Sequence, residues 1–234
     1  MKKVAREKIL QVIETPDAPR LPAHETVYRA LRELILFGEL APGQPVTIQG
    51  LTERLVAGMT PVREAIRRLT AEGALEFQGN RRVTVPMLSV DNVNELIFVR
   101  QALEPQLVLR ACERISDADL DQLEVIDEAL DTAIYKGDLR AYLELNYRFH
   151  TALYALANAP ILSALADSLW LRYGPSLRVV CGRLGTQNLP DEHKIALQAM
   201  RAGDPQAAAN AMQKDVIQGM EQVRRVLAAQ ELGS

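Results

Sequence analysis

Four polar side chains fall in a stretch that otherwise reads as apolar helix seams, and their types suit a metal ion. Asn146 and His150 lie four residues apart in ELNYRFHTAL, so a single helix presents them on one face, one turn apart. His193 follows in PDEHKIALQAM and Asp215 in MQKDVIQGM, each among apolar neighbours. Two imidazoles, a carboxylate and an amide oxygen drawn from three helices can hold a borderline divalent ion such as zinc, nickel or manganese, with positions left open for water or a ligand. Spacing alone favours two structural histidines satisfied by hydrogen bonds, because His on a helix is common and nothing in a sequence proves that three helices converge. The same set also describes catalytic metal centres, although no general base or nucleophile stands out beside it. Arg100, in FVRQALEP, is placed either to face the same interior or to pair with Glu104 one turn on. Arg172 and Tyr173 precede Gly174-Pro175 and are placed by position to line the same cavity.

The elements that must position these groups are helices. From residue 91 onward there is no strand signal, and caps divide the chain into Asp91–Arg114, Ser116–Lys136, Asp138–Asn158, Pro160–Arg183 with an interruption at Gly174-Pro175, Pro190–Ala202 and Asp204–Glu231. The Gly-Asp pairs at 137–138 and 203–204 each end one helix and cap the next. Connections this short predict an antiparallel all-α bundle over residues 89–234.

A different pattern occupies residues 26–88. In TPVREAIRRLTAEGALE (residues 60–76), Val62, Ile66 and Leu69 share one helix face, while Arg63, Arg67 and Arg68 point elsewhere. Thr60 is the expected N-cap, Pro61 suits the first turn, and Gly73 stops the helix. Upstream, Val27–Phe37 predicts one helix and Gln49–Val56 a second, joined by an extended piece at Gln44–Ile48. Downstream, LEFQGNRRVTV predicts a hairpin around Gly79 and Asn80. Three helices followed by a β-hairpin make a winged helix-turn-helix, whose third helix enters the DNA major groove. Residues 1–25 read as an arm: a short helix to residue 14, then a proline-bearing linker.

Composition agrees with two dissimilar parts. The 234 residues are 48% hydrophobic and 24% charged, as expected of a globular chain. The net charge of −3 hides an asymmetry: residues 1–86 carry 13 Lys+Arg against 10 Asp+Glu, while the remainder carries 14 against 20. Cys112 and Cys181 show no metal or redox spacing and read as buried thiols. No apolar run approaches a membrane span and no signal peptide is recognisable, so the expectation is a cytoplasmic protein without a membrane partner.

The run ALRELILFGELAPGQPVTIQGLTERLVAGMTPVREAIRRLTAEGALEF resembles the N-terminal domain of GntR-family transcriptional regulators. Residues 91–231, through VRQALEP, NYRFHTALYALANAPIL and EHKIALQAMRAGDPQAAANAM, resemble the FCD effector domain of the family's FadR-type branch, in its short, VanR-like form. The resemblance implies a repressor that binds double-stranded operator DNA as a homodimer and responds to a small carboxylate. It implies DNA contacts from Thr60, Arg63, Arg67, Arg68, Arg81 and Arg82, where Gly58 and Met59 replace a usual Ser-Arg pair and Arg82 a usual Gly. It also implies a metal at Asn146, His150, His193 and Asp215, where Asn146 replaces an Asp and Asp215 a His, and effector contacts from Arg100, Arg172 and Tyr173. The rival readings are a metal-dependent enzyme, or a regulator whose bundle serves only dimerisation.

Overall fold

The computed structural model describes residues 22–79, 82–184 and 191–231. Helix α1 (Ala23–Leu36) buries Val27, Leu31 and Ile35, one stripe at four-residue spacing, together with Tyr28 and Leu36. It begins within the segment expected to be an arm, directly after Pro22, a residue that suits a helix start because it has no N–H to satisfy. Residues 1–21, including the expected short helix, lie outside the described residues. Helix α2 (Ile48–Leu55) is capped by Thr47, whose hydroxyl accepts from Gly50 N at 3.1 Å. It ends at Val56 in the left-handed region (φ 50°, ψ 48°), a costly conformation for a β-branched side chain, at the turn into the next helix.

Helix α3 (Met59–Ala71) starts earlier than its sequence suggests: Gly58 is the N-cap, and Thr60 is the second helical residue rather than the cap. The Gly58 carbonyl accepts the first helical bond, from Val62 N at 3.4 Å, and Pro61 occupies a first-turn position where its missing N–H leaves nothing unpaired. Gly73, at φ +75°, ends the helix as expected. The extended piece becomes strand β1 (Pro45–Val46), and the hairpin becomes β2 (Glu76–Gln78) and β3 (Arg82–Thr84), in antiparallel order β1-β3-β2 with Val83 opposite both Val46 and Phe77. Asn80 and Arg81, at the hairpin tip, lie outside the described residues.

The remaining elements are helices α4 (Val90–Cys112), α5 (Asp117–Lys136), α6 (Leu139–Leu156), α7 (Pro160–Leu184), α8 (Glu192–Arg201) and α9 (Pro205–Glu231). Capping boxes at Ser89/Asn92 and Ser116/Asp119 start α4 and α5. Gly137 closes α5 at φ +65°, and the Asp138, Asp191 and Asp204 side chains cap α6, α8 and α9. The expected interruption at Gly174-Pro175 is absent: α7 runs through both residues. Packing of α7 against α1, α4, α6 and α9 outweighs the proline's preference to break a helix.

Gly174 has a different role. A Cβ there would collide with the backbone carbonyl of Leu36, so its lack of a side chain lets α7 touch the C-terminal end of α1. Around this crossing, Arg32 of α1 reaches Asp167 Oδ1 at 2.6 Å, Tyr147 of α6 donates to the same oxygen at 2.5 Å, and Arg178 Nη1 donates to Phe37 O at 3.3 Å. The core therefore does not divide where the sequence changes character. One apolar cluster runs from the winged helix (Leu31, Ile35, Leu69, Leu75) into α7 and α9 (Trp170, Leu177, Met220); a second fills the distal bundle around Leu107, Leu123, Phe149 and Met212.

Candidate metal centre and nucleic-acid interface

Three of the four expected ligands converge. His150 Nε2 lies 3.2 Å from Asp215 Oδ2, His193 Nε2 lies 3.6 Å from Asp215 Oδ1, and the two Nε2 atoms are 3.3 Å apart. They come from α6, α8 and α9, so the site needs the tertiary fold to exist. Ligand atoms about 2.0–2.1 Å from a tetrahedral ion sit roughly 3.3 Å from one another, close to these three edges. Asn146, one turn before His150, lines the same cavity as His193 and Asp215.

The surrounding groups fix which ring nitrogens face inward. His193 Nδ1 lies 3.2 Å from Asp127 Oδ1, an acceptor, so Nδ1 carries the proton and Nε2 offers a lone pair. His150 Nδ1 lies 2.9 Å from the Tyr154 hydroxyl, which itself donates to Glu104. Burial above all, and then Glu104, pushes the Tyr154 phenol well above its ordinary pKa, so it stays a donor to Glu104 and accepts from His150. Arg100 completes the chain with a two-pronged pair to Glu104 (Nη2 to Oε2 3.1 Å), both residues fully buried, and lies over the rings of Tyr173 and Trp170 at 4.3 and 5.2 Å. Two imidazole lone pairs aimed at each other across 3.3 Å repel unless a positive charge lies between them. A proton can supply it, and so can a metal ion. The residues present therefore fit a divalent cation.

The charge balance shows the same pull. Burial opposes protonation of His193, but the carboxylates of Asp215, Asp127 and Asp191 outweigh it and raise its pKa. Burial lowers that of His150. Burial pushes Asp215 upward, yet His193, His150 and Arg100 together draw it down to about 2. A second acidic group, Asp127, Asp131 and Asp191, already holds a cation: Lys194 Nζ sits 2.5 Å from both Asp131 and Asp191 and 3.8 Å from Asp127.

The remaining expected effector contacts separate. Arg100 is committed to Glu104, the alternative left open by the sequence. Tyr173 is buried against it. Arg172 is exposed on the other side of α7, over Gly73 at the end of α3, and lines a separate groove of about 570 Å³ between the wing and α4, away from the metal cavity. That position corrects the expectation drawn from its place next to Tyr173: adjacent helical residues face different sides. Sequence reasoning missed Asp127, Tyr154 and Trp170. Asp127 left a signal, since Leu120, Leu123, Asp127 and Leu130 share the seam spacing and only the third is polar.

On the head, Arg63 and Arg67 project from α3 into solvent with no ion pair to any described residue, beside an exposed Thr60. Arg82 is exposed beside the tip of the wing, opposite Gln78. Arg68 differs: it pairs with Glu25 at 3.0 Å and Glu72 at 3.1 Å and stacks over Tyr28 at 3.5 Å, tying α3 to α1. Arg81 lies outside the described residues.

The fold and the site define a winged-helix DNA-binding protein whose second, all-helical part carries a buried His-His-Asp centre. The model of the bacterial regulatory proteins of the gntR family matches residues 23–85, and that of the FCD domain matches residues 95–217. The chain belongs to the GntR family of DNA-binding transcriptional regulators and carries an FCD domain. It is similar to the HTH-type transcriptional regulator McbR of Escherichia coli K12, 32% identical over 177 residues, which are 74% of this chain and 80% of that protein. It is also similar to the HTH-type transcriptional repressor RspR of the same organism, 30% identical over 149 residues, 64% of this chain and 65% of that one. The solved structure of E. coli McbR/YncC aligns with a TM-score of 0.80 at 28% identity, covering 90% of this chain and 99% of that one. A GntR regulator from Rhodococcus sp. RHA1 shares the fold, with a TM-score of 0.71 at 22% identity over 86% of this chain and 96% of that one. These homologues are transcriptional regulators rather than enzymes. Among the described residues, no helix is long and apolar enough to cross a membrane.

Proposed function

We propose that this regulator is a metal-containing, ligand-responsive repressor that acts as a homodimer on a two-fold operator. The DNA-reading part runs from α1, which starts at Ala23 rather than at residue 26, to residue 88, and residues 89–234 form the sensing and dimerising part. His150, His193 and Asp215, with Asn146 beside them, hold a divalent ion of the zinc, nickel or manganese class, and a small carboxylate effector binds at its open positions. When bound, the ion supplies a fixed positive charge that attracts an anionic effector group. Thr60, Arg63 and Arg67 on α3 contact DNA, joined by Arg81 and Arg82 at the wing. Arg68 steadies α3 from behind, and Arg100 holds the Glu104–Tyr154–His150 chain rather than clamping the effector. Tyr173 packs behind that chain, and Arg172 belongs to the junction with the head.

The observation that carries the metal reading is the convergence of the two Nε2 atoms, 3.3 Å apart, with a partner on each Nδ1 that favours the tautomer aiming a lone pair inward. A contiguous packing route favours a sensing role. His150 lies against Trp170 (5.0 Å), Trp170 against Tyr147 (5.5 Å), and Tyr147 against Phe37 (5.9 Å) at the end of α1. A ligand can shift the dimer's head spacing only by binding one arrangement more tightly than the other. Repression is the activity printed for RspR, similar over its matched length.

Two measurements test the reading. Protein carrying both His150→Ala and His193→Ala should purify without metal; unchanged metal stoichiometry refutes the site. Arg63→Ala should abolish specific operator binding in a gel shift with melting behaviour intact, and retained affinity refutes the role given to α3.

A further inference from the structure

The cavity over the candidate metal centre has a volume of about 260 Å³, and its chemistry constrains what can enter. Among the described residues its lining contains no arginine and no lysine. Among the described residues the nearest buried guanidinium, Arg100, is spent on Glu104 and Lys194 is held by Asp131 and Asp191, so neither is free to take a second carboxylate of a ligand away from the metal. The wall instead offers neutral groups, among them Asn146 and Gln222, and acidic ones. Of the acids, Asp131 and Asp191 share Lys194, and Asp215 lies between two imidazoles. Glu192 is different. It opens α8 beside His193, is only 7% exposed, lines the cavity, and its Oε2 has no hydrogen-bond partner among the described residues. A buried carboxylate oxygen without a donor is unfavourable and calls for an explanation, and a ligand donor entering the cavity supplies one.

We propose that the effector is a small carboxylate carrying a protonated amine at its far end, with the ammonium donating to Glu192 and the carboxylate directed to the metal centre. The inference rests on the reading of this cavity as the effector site. Asn146 and Gln222 tolerate either end and so add affinity without setting the polarity. Glu192 sets it, because a carboxylate accepts from an ammonium and repels a second carboxylate.

The test is calorimetry on the zinc-loaded full-length chain with three probes of matched length: 4-aminobutanoate, succinate and 1,4-diaminobutane. 4-Aminobutanoate should bind at least about tenfold more tightly than either of the others, the size expected for one charge-assisted hydrogen bond. Glu192→Gln should remove the preference over succinate while zinc stoichiometry stays unchanged. The inference is overturned if succinate binds as well as 4-aminobutanoate to the wild type, if the preference survives in Glu192→Gln, if the diamine binds as tightly, or if no probe binds zinc-loaded protein. Failure to take up zinc at all would sink the metal-sensor reading itself, which separates the two failures.

Discussion

Asp127 is not one of the proposed metal ligands, yet metal affinity should depend on it. Its Oδ1 lies 3.2 Å from His193 Nδ1 and its side chain is buried, with Lys194 Nζ 3.8 Å from the other oxygen. The carboxylate fixes the tautomer that leaves Nε2 unprotonated, and its charge makes that nitrogen a better donor. Asp127→Asn keeps an oxygen acceptor and the volume but removes the charge, and loss of such a supporting partner typically costs about 10- to 100-fold in metal affinity. The Asn variant should fall near the lower end, about tenfold or ~1.4 kcal/mol, and Asp127→Ala near the upper end, about 100-fold or ~2.7 kcal/mol. Competition titration of zinc against a chelator measures both, with melting midpoints in excess chelator as the control for folding. Lys194→Met should have the smaller effect, since Lys194 is partly exposed and pairs with acids around the site rather than with His150, His193 or Asp215. Affinities within threefold of wild type for both Asp127 variants would refute the claim that this carboxylate sets the ligand.

The site should also give a pH signature with opposite slopes in the two states. The raised pKa of His193 means its protonated form adds stability to the metal-free protein that is fully present below the unfolded value near 6.5 and is lost as pH rises through the folded value. Metal must displace that proton, so the metal-induced rise in melting midpoint should grow between pH 6 and 8, and a rise that shrinks over that range would contradict the ligand set. Gly174→Ala should force α7 away from the Leu36 carbonyl at a cost of about 1–3 kcal/mol, so a melting midpoint equal to wild type would refute the close approach. Val56→Gly should relieve the left-handed conformation at the α2–α3 turn and stabilise the head by roughly 1 kcal/mol, measured by denaturant unfolding; destabilisation would show that the valine side chain contributes more than the backbone costs.

Periodicity and caps were enough to read most elements, because both are local. Ser116, Gly137 and Asp138 mark the ends of α5 and the start of α6 in sequence and structure alike. Local rules failed where distant packing intervened. Gly174-Pro175 reads as a break, yet neighbouring helices hold α7 continuous and the glycine serves the crossing with α1. Thr60 reads as a cap, but Gly58 takes that place two residues earlier, a shift that residue preference alone does not set.

By itself, the sequence determined a basic winged helix joined to an acidic helical bundle, and it picked out His150, His193 and Asp215 as polar residues on apolar seams. Charge, spacing and helix period are properties of the chain, so they survive without coordinates. Only the tertiary structure decided that three separate helices bring those groups within 3.6 Å of one another. It also decided that Arg100 serves Glu104 rather than the cavity, that Arg172 faces the head, and that Glu192 Oε2 has no hydrogen-bond partner among the described residues. Apart from Arg100–Glu104, an i,i+4 pair that the spacing already offered, each of these depends on which side of a helix meets which neighbour, a matter of long-range packing that no local pattern encodes.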